Sequence, residues 1–234
     1  GIEVFWCHNI LGLCYLRKNN YKKAIKKWSE GIKFTNERDA LFAYYQNMSW
    51  LYVLRGDFQN IEKMAQSALQ YAESNCEIAM CYDRIGYSEF NQDGHEQETI
   101  KYEKICLEYV EEILSNEQED IPYWRERAYL CYKALFLVYR KIGEMDKAVE
   151  AGSHALDYTD GDRRDKAFYE MMSQCAMDRE DGSAIKPLHM LLRYCDTDKE
   201  RIIVHHHLAS EYMNTGDWEK EKKEYEVLIK LDPG

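Results

Sequence analysis

Apolar residues recur along this chain at the three- and four-residue intervals of an amphipathic helix, and short turns containing Gly, Asn and Asp interrupt the pattern. Four segments align without gaps, at residues 9–34, 47–72, 133–158 and 206–231. Each segment is long enough for two helices with a turn between them. The pattern therefore predicts a helical hairpin that occurs several times in the chain.

Three positions are shared by all four segments. The first predicted helix carries an aromatic residue, at Tyr15, Tyr52, Tyr139 and Tyr212. Four residues later the turn holds Asn19, Gly56, Gly143 and Gly216. Two residues further a large side chain opens the second helix, at Tyr21, Phe58, Met145 and Trp218. Since neither helix of a hairpin can bury its apolar stripe alone, we expect successive hairpins to stack.

Two further copies are degenerate. The third repeat has one residue inserted around Gly94, and in the fifth Gly182 fits the turn while Asp178 occupies the aromatic position. With these copies the chain holds six repeats in a single domain over residues 1–234. The predicted repeats are approximately 5–37, 42–74, 79–117, 122–161, 165–197 and 201–234.

This pattern resembles the tetratricopeptide repeat family, in which a helix–turn–helix unit carries small and large apolar residues at fixed offsets. The first copy has the family's Leu–Gly pair at Leu11–Gly12, and the last has its closing proline at Pro233. The resemblance implies an all-α fold, a right-handed superhelical solenoid of antiparallel helix pairs.

Composition narrows the classes of function. The chain has 3 Pro and 12 Gly, 31% charged residues and a formal net charge of −11, which fits a folded helical protein and argues against a general nucleic-acid surface. No apolar run approaches the roughly 20 residues of a membrane span, and no signal peptide opens the chain. The eight cysteines contain no C-x-x-C pair, so we expect reduced thiols in a cytoplasmic protein.

Two motifs invite a metal interpretation. The run His205–His207 cannot converge on one ion, because consecutive helix positions point about 100° apart. The segment from Asp157 to Asp165 has the composition of a calcium loop without its spacing. No phosphate loop, nucleophile elbow or zinc-protease motif is present. We expect no catalytic residue, no metal and no cofactor, and therefore not an enzyme.

The resemblance places function on the concave face, which the first helix of each repeat lines in this family. The corresponding positions form the predicted peptide- or partner-binding groove: Asn9, Leu13, Gln46, Trp50, Asp83, Tyr87, Lys133, Arg140, Arg179, His206 and Ser210. Amides could hold a peptide backbone, and Lys or Arg a carboxylate. The alternative is that these charges are only solvated. In this family, the members that bind chaperone tails hold the terminal carboxylate with a clamp of Lys, Asn and Arg residues. This clamp is incomplete here, which disfavours a chaperone tail as the ligand.

Two functions are consistent with these features. The first is an interaction scaffold that binds a protein or peptide in the groove. The second is the ligand- or peptide-sensing domain of a bacterial cytosolic transcription regulator whose effector domain is absent. Because the chain begins with Gly and ends where a repeat closes, we expect a piece of a longer protein. Its last repeat could self-associate through an uncovered face, with no nucleic-acid or membrane contact.

Overall fold

The structure is a computed structural model that describes residues 1–116, 121–159 and 165–232. Regular structure in this part of the chain consists of twelve α-helices and one 3-10 turn at Ile32–Phe34. The centre of the acidic segment around Gly161 and the predicted closing Pro233 lie outside the described residues. The predicted all-α architecture of antiparallel helix pairs is confirmed.

The chain divides into two compact units, an N-terminal unit of residues 1–127 and a C-terminal unit of residues 128–234. The N-terminal unit contains α1 (Ile2–Arg17), α2 (Tyr21–Gly31), α3 (Arg38–Arg55), α4 (Phe58–Leu69), α5 (Asn75–Phe90) and α6 (Glu96–Ser115). The boundary falls within α7 (Ile121–Lys141). The C-terminal unit continues with α8 (Met145–Ala155), α9 (Lys166–Met177), α10 (Ile185–Leu192), α11 (Asp198–Thr215) and α12 (Trp218–Leu231). The single domain remains a prediction.

Odd-numbered helices are the first helices of the repeats, and even-numbered helices are the second. In the four segments that align without gaps, the first helix is followed by a residue in the left-handed conformation: Asn19 (φ 54°), Gly56 (64°), Gly143 (82°) and Gly216 (74°). Glycine adopts this conformation at little cost, and Asn tolerates it. The second helix then begins behind a side-chain cap at Asn20, Asp57 or Asp217, each accepting a backbone N–H three residues later. Local chemistry therefore sets where these hairpins turn.

A close approach between α1 and α2 shows why small residues recur in the first helices. Trp28 is fully buried, and its indole N–H donates to the Asn9 carbonyl oxygen at 3.1 Å. A Cβ added to Gly12 would lie 2.1 Å from Trp28 Nε1. Ser49 at the same place in the second repeat is also fully buried. A larger side chain would push the two helices apart.

Stacked aromatic rings join the two helices of each of the first five repeats. One ring lies on the first helix, and the other lies within the second helix in the third repeat and just beyond the second helix in the other four. The pairs are His8–Phe34, Tyr45–Tyr71, Tyr82–Tyr109, Tyr132–Tyr158 and Tyr169–Tyr194, with centroids 5.8–6.1 Å apart. Such pairs stabilise a fold beyond the area that they bury. The sequence alignment did not identify this feature.

The fifth repeat has a different register from the one that the ungapped sequence alignment gave. That alignment put Asp178 at the aromatic position and Gly182 at the turn, whereas the structure puts Ala176 and Glu180 there. Glu180 has φ 53°, close to the 54° of Asn19, and Gly182, which lies in the same turn as expected, has φ 83°. The backbone bonds Lys18 N–H to Tyr15 O and Asn19 N–H to Leu16 O recur as Arg179 N–H to Ala176 O and Glu180 N–H to Met177 O. The longer turn before α10 accounts for the shift, since seven residues (178–184) join α9 to α10 and three (18–20) join α1 to α2.

Candidate functional site

The sequence-predicted residues of α1 and α3 lie where neighbouring first helices meet. Asn9 is only 7% exposed, and its side-chain oxygen accepts a hydrogen bond from Asn47 Nδ2 at 2.6 Å. Gln46 Nε2 donates to Cys81 Sγ on α5 at 3.2 Å. Leu13 is half-buried against the core of the first two repeats. These three predicted residues therefore make contacts within the protein.

A polar row crosses from α3 through α5 to α7 in the N-terminal unit. Trp50 is 41% exposed, and the Arg84 guanidinium lies 4.8 Å from the centre of its ring. Asp83 pairs with Arg84 Nη1 at 3.1 Å and with Arg127 Nη1 at 3.4 Å. Tyr87 is exposed on the same helix. The structure thus brings the predicted Trp50 and Asp83 into one cluster, where Arg84 contacts both.

The predicted cations of the C-terminal unit lie in separate surroundings. Lys133 forms an ion pair with Asp165, and Arg140 is exposed with Nη1 3.4 Å from Met171 Sδ. Arg179 follows α9 and is held by two carboxylates, Asp146 at 3.1 Å and Asp181 at 2.9 Å. It lines a depression of about 380 Å³ with residues of α8. His206 and Ser210 are exposed on α11. The five residues therefore do not form one basic site.

A cleft of about 240 Å³ opens between α9 and α11. Its floor is formed by four buried residues: Ser173, Leu191, Cys195 and Val204. Three exposed residues, Glu170, Gln174 and Ile203, stand at its rim. Lys166, Met177, Glu200 and His207 complete the lining. The walls are mainly hydrocarbon, and polar groups are concentrated at the edges.

The charges at one end of the cleft neutralise each other. Lys166 Nζ lies 3.1 Å from Glu200 Oε1, and this hydrogen bond raises the pKa of Lys166. The pKa of Glu200 is lowered, chiefly by the Asp196 backbone N–H and then by Lys166. Glu200 also completes the capping box with Thr197 at the start of α11. One carboxylate thus fixes the helix start and the edge of the cleft.

The titratable groups deeper in the cleft favour their neutral forms. Burial lowers the pKa of His207, and the neighbouring His206 adds to the shift. Burial raises the pKa of the Cys195 thiol. An uncharged imidazole and a protonated thiol leave the interior of the cleft without a net charge near neutral pH. The cleft is therefore suited to an apolar group.

In the N-terminal unit, larger side chains occupy the positions equivalent to the cleft residues Gln174 and His207. Trp50 stands two residues before the aromatic position of its repeat, as Gln174 does before Ala176. Arg84 and His207 each stand five residues before that position on the next first helix. Trp50 and Arg84 stack on each other, whereas no such stack joins Gln174 and His207 among the described contacts. The smaller side chains leave the space open.

Sequence reasoning selected Arg179 in the fifth repeat and missed Glu170 and Gln174, because it used the wrong register. Tyr169 was a usable signal, since it matches Tyr45 of the second repeat when Ala176 is placed at the aromatic position. Ser173 then falls at the small-residue position. His207 was set aside with its neighbours as a residue that packs or lines a groove, and it does line the cleft.

The three consecutive histidines have three different environments. His205 Nδ1 lies 2.5 Å from Glu224 Oε2, His206 is exposed, and His207 lines the cleft. Within residues 1–116, 121–159 and 165–232 no group of three or more His, Cys, Asp or Glu side chains is arranged to hold a metal ion. In the same residues no helix has both the length and the apolar character needed to cross a membrane.

No protein-family model matches the sequence, and no curated protein matches it. Solved structures do. The C-terminal part of a TPR repeat-containing protein from Cytophaga hutchinsonii matches with a TM-score of 0.56 and 18% identity, over 99% of this chain and 89% of that one. PilW, a widely conserved type IV pilus biogenesis factor, matches with a TM-score of 0.55 and 12% identity, over 98% and 94% of the two chains. The chain therefore has the tetratricopeptide repeat fold.

Proposed function

We propose that this chain is a non-enzymatic scaffold that binds an extended peptide or a segment of a partner protein on its first helices. The observation that carries the proposal is the cleft between α9 and α11, whose lining residues come mainly from these two first helices. A concave, mostly apolar site with a few polar groups at its edge is the usual form of a binding pocket.

The polar groups at the rim suit a peptide backbone. The Gln174 carboxamide is exposed, and an amide can donate to a peptide carbonyl and accept from a peptide N–H. Ile203 is 49% exposed beside it, so an incoming chain would cover apolar surface while it forms these bonds. Other predicted groove residues, such as Asn9 and Gln46, already bond to neighbouring helices. The C-terminal unit is therefore the favoured binding region.

The thiols support a binding role over covalent catalysis. Burial raises the pKa of Cys81 to about 12 and also raises the pKa of Cys195. The thiolate is the reactive form, so neither of these buried groups is an activated nucleophile. The regulator alternative would use the same first-helix face, and nothing in the described residues favours it over the scaffold.

Selection of displayed random peptides on the chain would test the proposal. Synthetic versions of the selected peptides would be titrated by fluorescence anisotropy against the chain and against Ile203→Glu. Placing a carboxylate at the cleft should weaken binding by about tenfold or more, since an apolar contact is replaced by a charge that must be desolvated.

Met145→Glu is the matched control, because Met145 is 48% exposed on α8 of the same unit and lies outside the cleft. Its affinities should equal those of the unmodified chain. Failure to select any peptide, or equal binding by the Ile203→Glu variant, would contradict the proposed site.

Self-association through the last repeat is a separate part of the proposal. Helix α12 exposes Trp218, Tyr225 and Ile229 along one side. The residues equivalent to Tyr225 in the first two repeats, Trp28 and Ala65, are fully buried. Light scattering would test the idea. A dimer that Ile229→Lys converts to a monomer would support it, and a monomer at all concentrations would contradict it.

A further inference from the structure

The geometry points to a specific ligand chemistry for the cleft between α9 and α11, an inference that rests on the proposed function. We propose that it anchors one large apolar side chain of a bound peptide, aromatic or long aliphatic, and that a Lys or Arg beside this anchor faces Glu170. The anchor supplies most of the affinity, and the cation supplies selectivity.

The size of the cleft fits a single large side chain. Its volume is about 240 Å³, and a dry apolar cavity of about 150 Å³ is enough to bind benzene. A phenyl ring therefore fits with room for its methylene group, whereas an alanine methyl group would leave most of the space empty. Poorly filled space forfeits dispersion contacts along the walls.

The polar groups at the floor are already used within the protein. Ser173 Oγ donates to the Glu170 carbonyl oxygen at 3.0 Å. Cys195 Sγ donates to the Leu191 carbonyl oxygen at 3.6 Å. Because neither group depends on a ligand for its partner, a polar side chain would lose its water without gaining a bond from them. An apolar side chain incurs no such loss.

The rim has an excess of negative charge. Lys166 is engaged by Glu200 at 3.1 Å, so its charge is balanced at one end of the cleft. Glu170 also lines the cleft and is exposed. Its charge adds to the raised pKa of Lys166, but the described contacts contain no hydrogen bond or ion pair to its carboxylate. Because His207 favours its neutral form, it does not offset this carboxylate. A cationic residue next to the anchor complements Glu170, and an acidic one is repelled by it.

Capped amino acids test the anchor independently of peptide binding. N-acetyl-phenylalaninamide and N-acetyl-alaninamide would be titrated into the chain while the Ile203 methyl and His207 ring signals are followed by NMR. We expect the phenylalanine compound alone to shift these signals at millimolar concentration. Ile203→Ala should reduce the response of the His207 ring severalfold, and Met145→Ala, a truncation on α8 outside the cleft, should leave it unchanged.

Short peptides test the flanking charge. Capped Gly-Ser-Lys-Phe-Ser-Gly should bind about two- to fivefold more tightly than its Glu-Phe counterpart, the range expected for one exposed ion pair. Glu170→Gln should abolish this difference while both peptides retain the anchor. Ile203 and Glu170 are not buried, so we expect both variants to fold, and circular dichroism would verify this.

The outcomes separate the two proposals. If the selected peptides bind at this face with no preference for a large apolar residue, the proposed anchor is wrong and the scaffold proposal is retained. Shifts with the phenylalanine compound, but no peptide selected from any library, would retain the apolar pocket and overturn the peptide scaffold. No response to either probe would overturn both.

Discussion

Helices α3 and α5 are neighbouring first helices, and so are α9 and α11. The two pairs carry different side chains at equivalent positions, and these side chains leave different amounts of space. Between α3 and α5 the Arg84 guanidinium lies 4.8 Å from the centre of the Trp50 ring, and these two side chains occupy the space. Between α9 and α11, Gln174 and His207 occupy the same two places and line a cleft of about 240 Å³. Two side chains therefore decide whether this surface of a repeat pair is closed or open.

The two pairs also differ in their charges. In the N-terminal unit two guanidinium groups, those of Arg84 and Arg127, pair with two carboxylates, those of Asp83 and Glu126. At the cleft Lys166 and Glu200 balance each other while Glu170 adds a negative charge. A scaffold of similar repeats can thus present surfaces of different charge to its ligands.

Introducing the Trp–Arg pair of the N-terminal unit into the cleft of the C-terminal unit should have the largest effect on binding. Gln174→Trp with His207→Arg reproduces the Trp50–Arg84 stack and should fill the cleft. We expect affinity for Phe-containing peptides to fall about tenfold or more, because the anchor side chain loses its site. Fluorescence anisotropy with the peptides selected on the unmodified chain would measure this. Unchanged affinity in a folded variant would show that the cleft does not hold the peptide.

The reverse exchange should have a moderate effect on stability. Trp50→Gln with Arg84→His removes the cation–π contact and part of a large apolar surface, for an expected loss of about 1–2 kcal/mol in the free energy of unfolding. Urea unfolding followed by circular dichroism would measure the loss. Leu54→Gln is the control, since Leu54 is 45% exposed on the same helix as Trp50 and its replacement should cost little. Equal losses in both variants would show that the stack between α3 and α5 adds nothing.

The smallest predicted effect is a pH dependence confined to the N-terminal unit. The third repeat has the buried Glu89 where the last repeat has Tyr212, and His95 Nδ1 lies 2.6 Å from Glu89 Oε2. That hydrogen bond raises the pKa of His95, with smaller contributions from the charges of Glu98 and Glu62. Because the pKa is higher in the folded state, the pair stabilises the fold fully below the unfolded value of about 6.5. The contribution is lost as the pH rises through the folded-state pKa.

His95→Gln should remove this dependence. The urea midpoint of the unmodified chain should fall between mildly acidic and mildly alkaline pH by more than that of the variant. His206→Gln changes an exposed histidine of the C-terminal unit and serves as the control. Parallel pH profiles for the unmodified chain and the His95 variant would exclude a stabilising role for the pair.

The sequence by itself determined the helical hairpins and most of their boundaries. Gly56 and Gly216 end first helices because glycine adopts the left-handed conformation readily, and Asp57 and Asp217 start the second helices as caps. These signals act within a few residues, so a local pattern is sufficient to read them. Gly12 belongs to the Leu–Gly pair on which the family resemblance rests, and in the structure it lies against Trp28.

Only the tertiary structure decided the register of the fifth repeat and the position of the cleft. Seven residues, 178–184, separate α9 from α10, and both Glu180 (φ 53°) and Gly182 (φ 83°) in this turn are left-handed, so an ungapped pattern matched Gly182 to the turn and chose Arg179. Whether space remains beside Gln174 depends on side-chain volumes contributed by α9, α10 and α11 together. Residues distant in the chain set that volume, and for this reason no local pattern of apolar and polar positions predicts it.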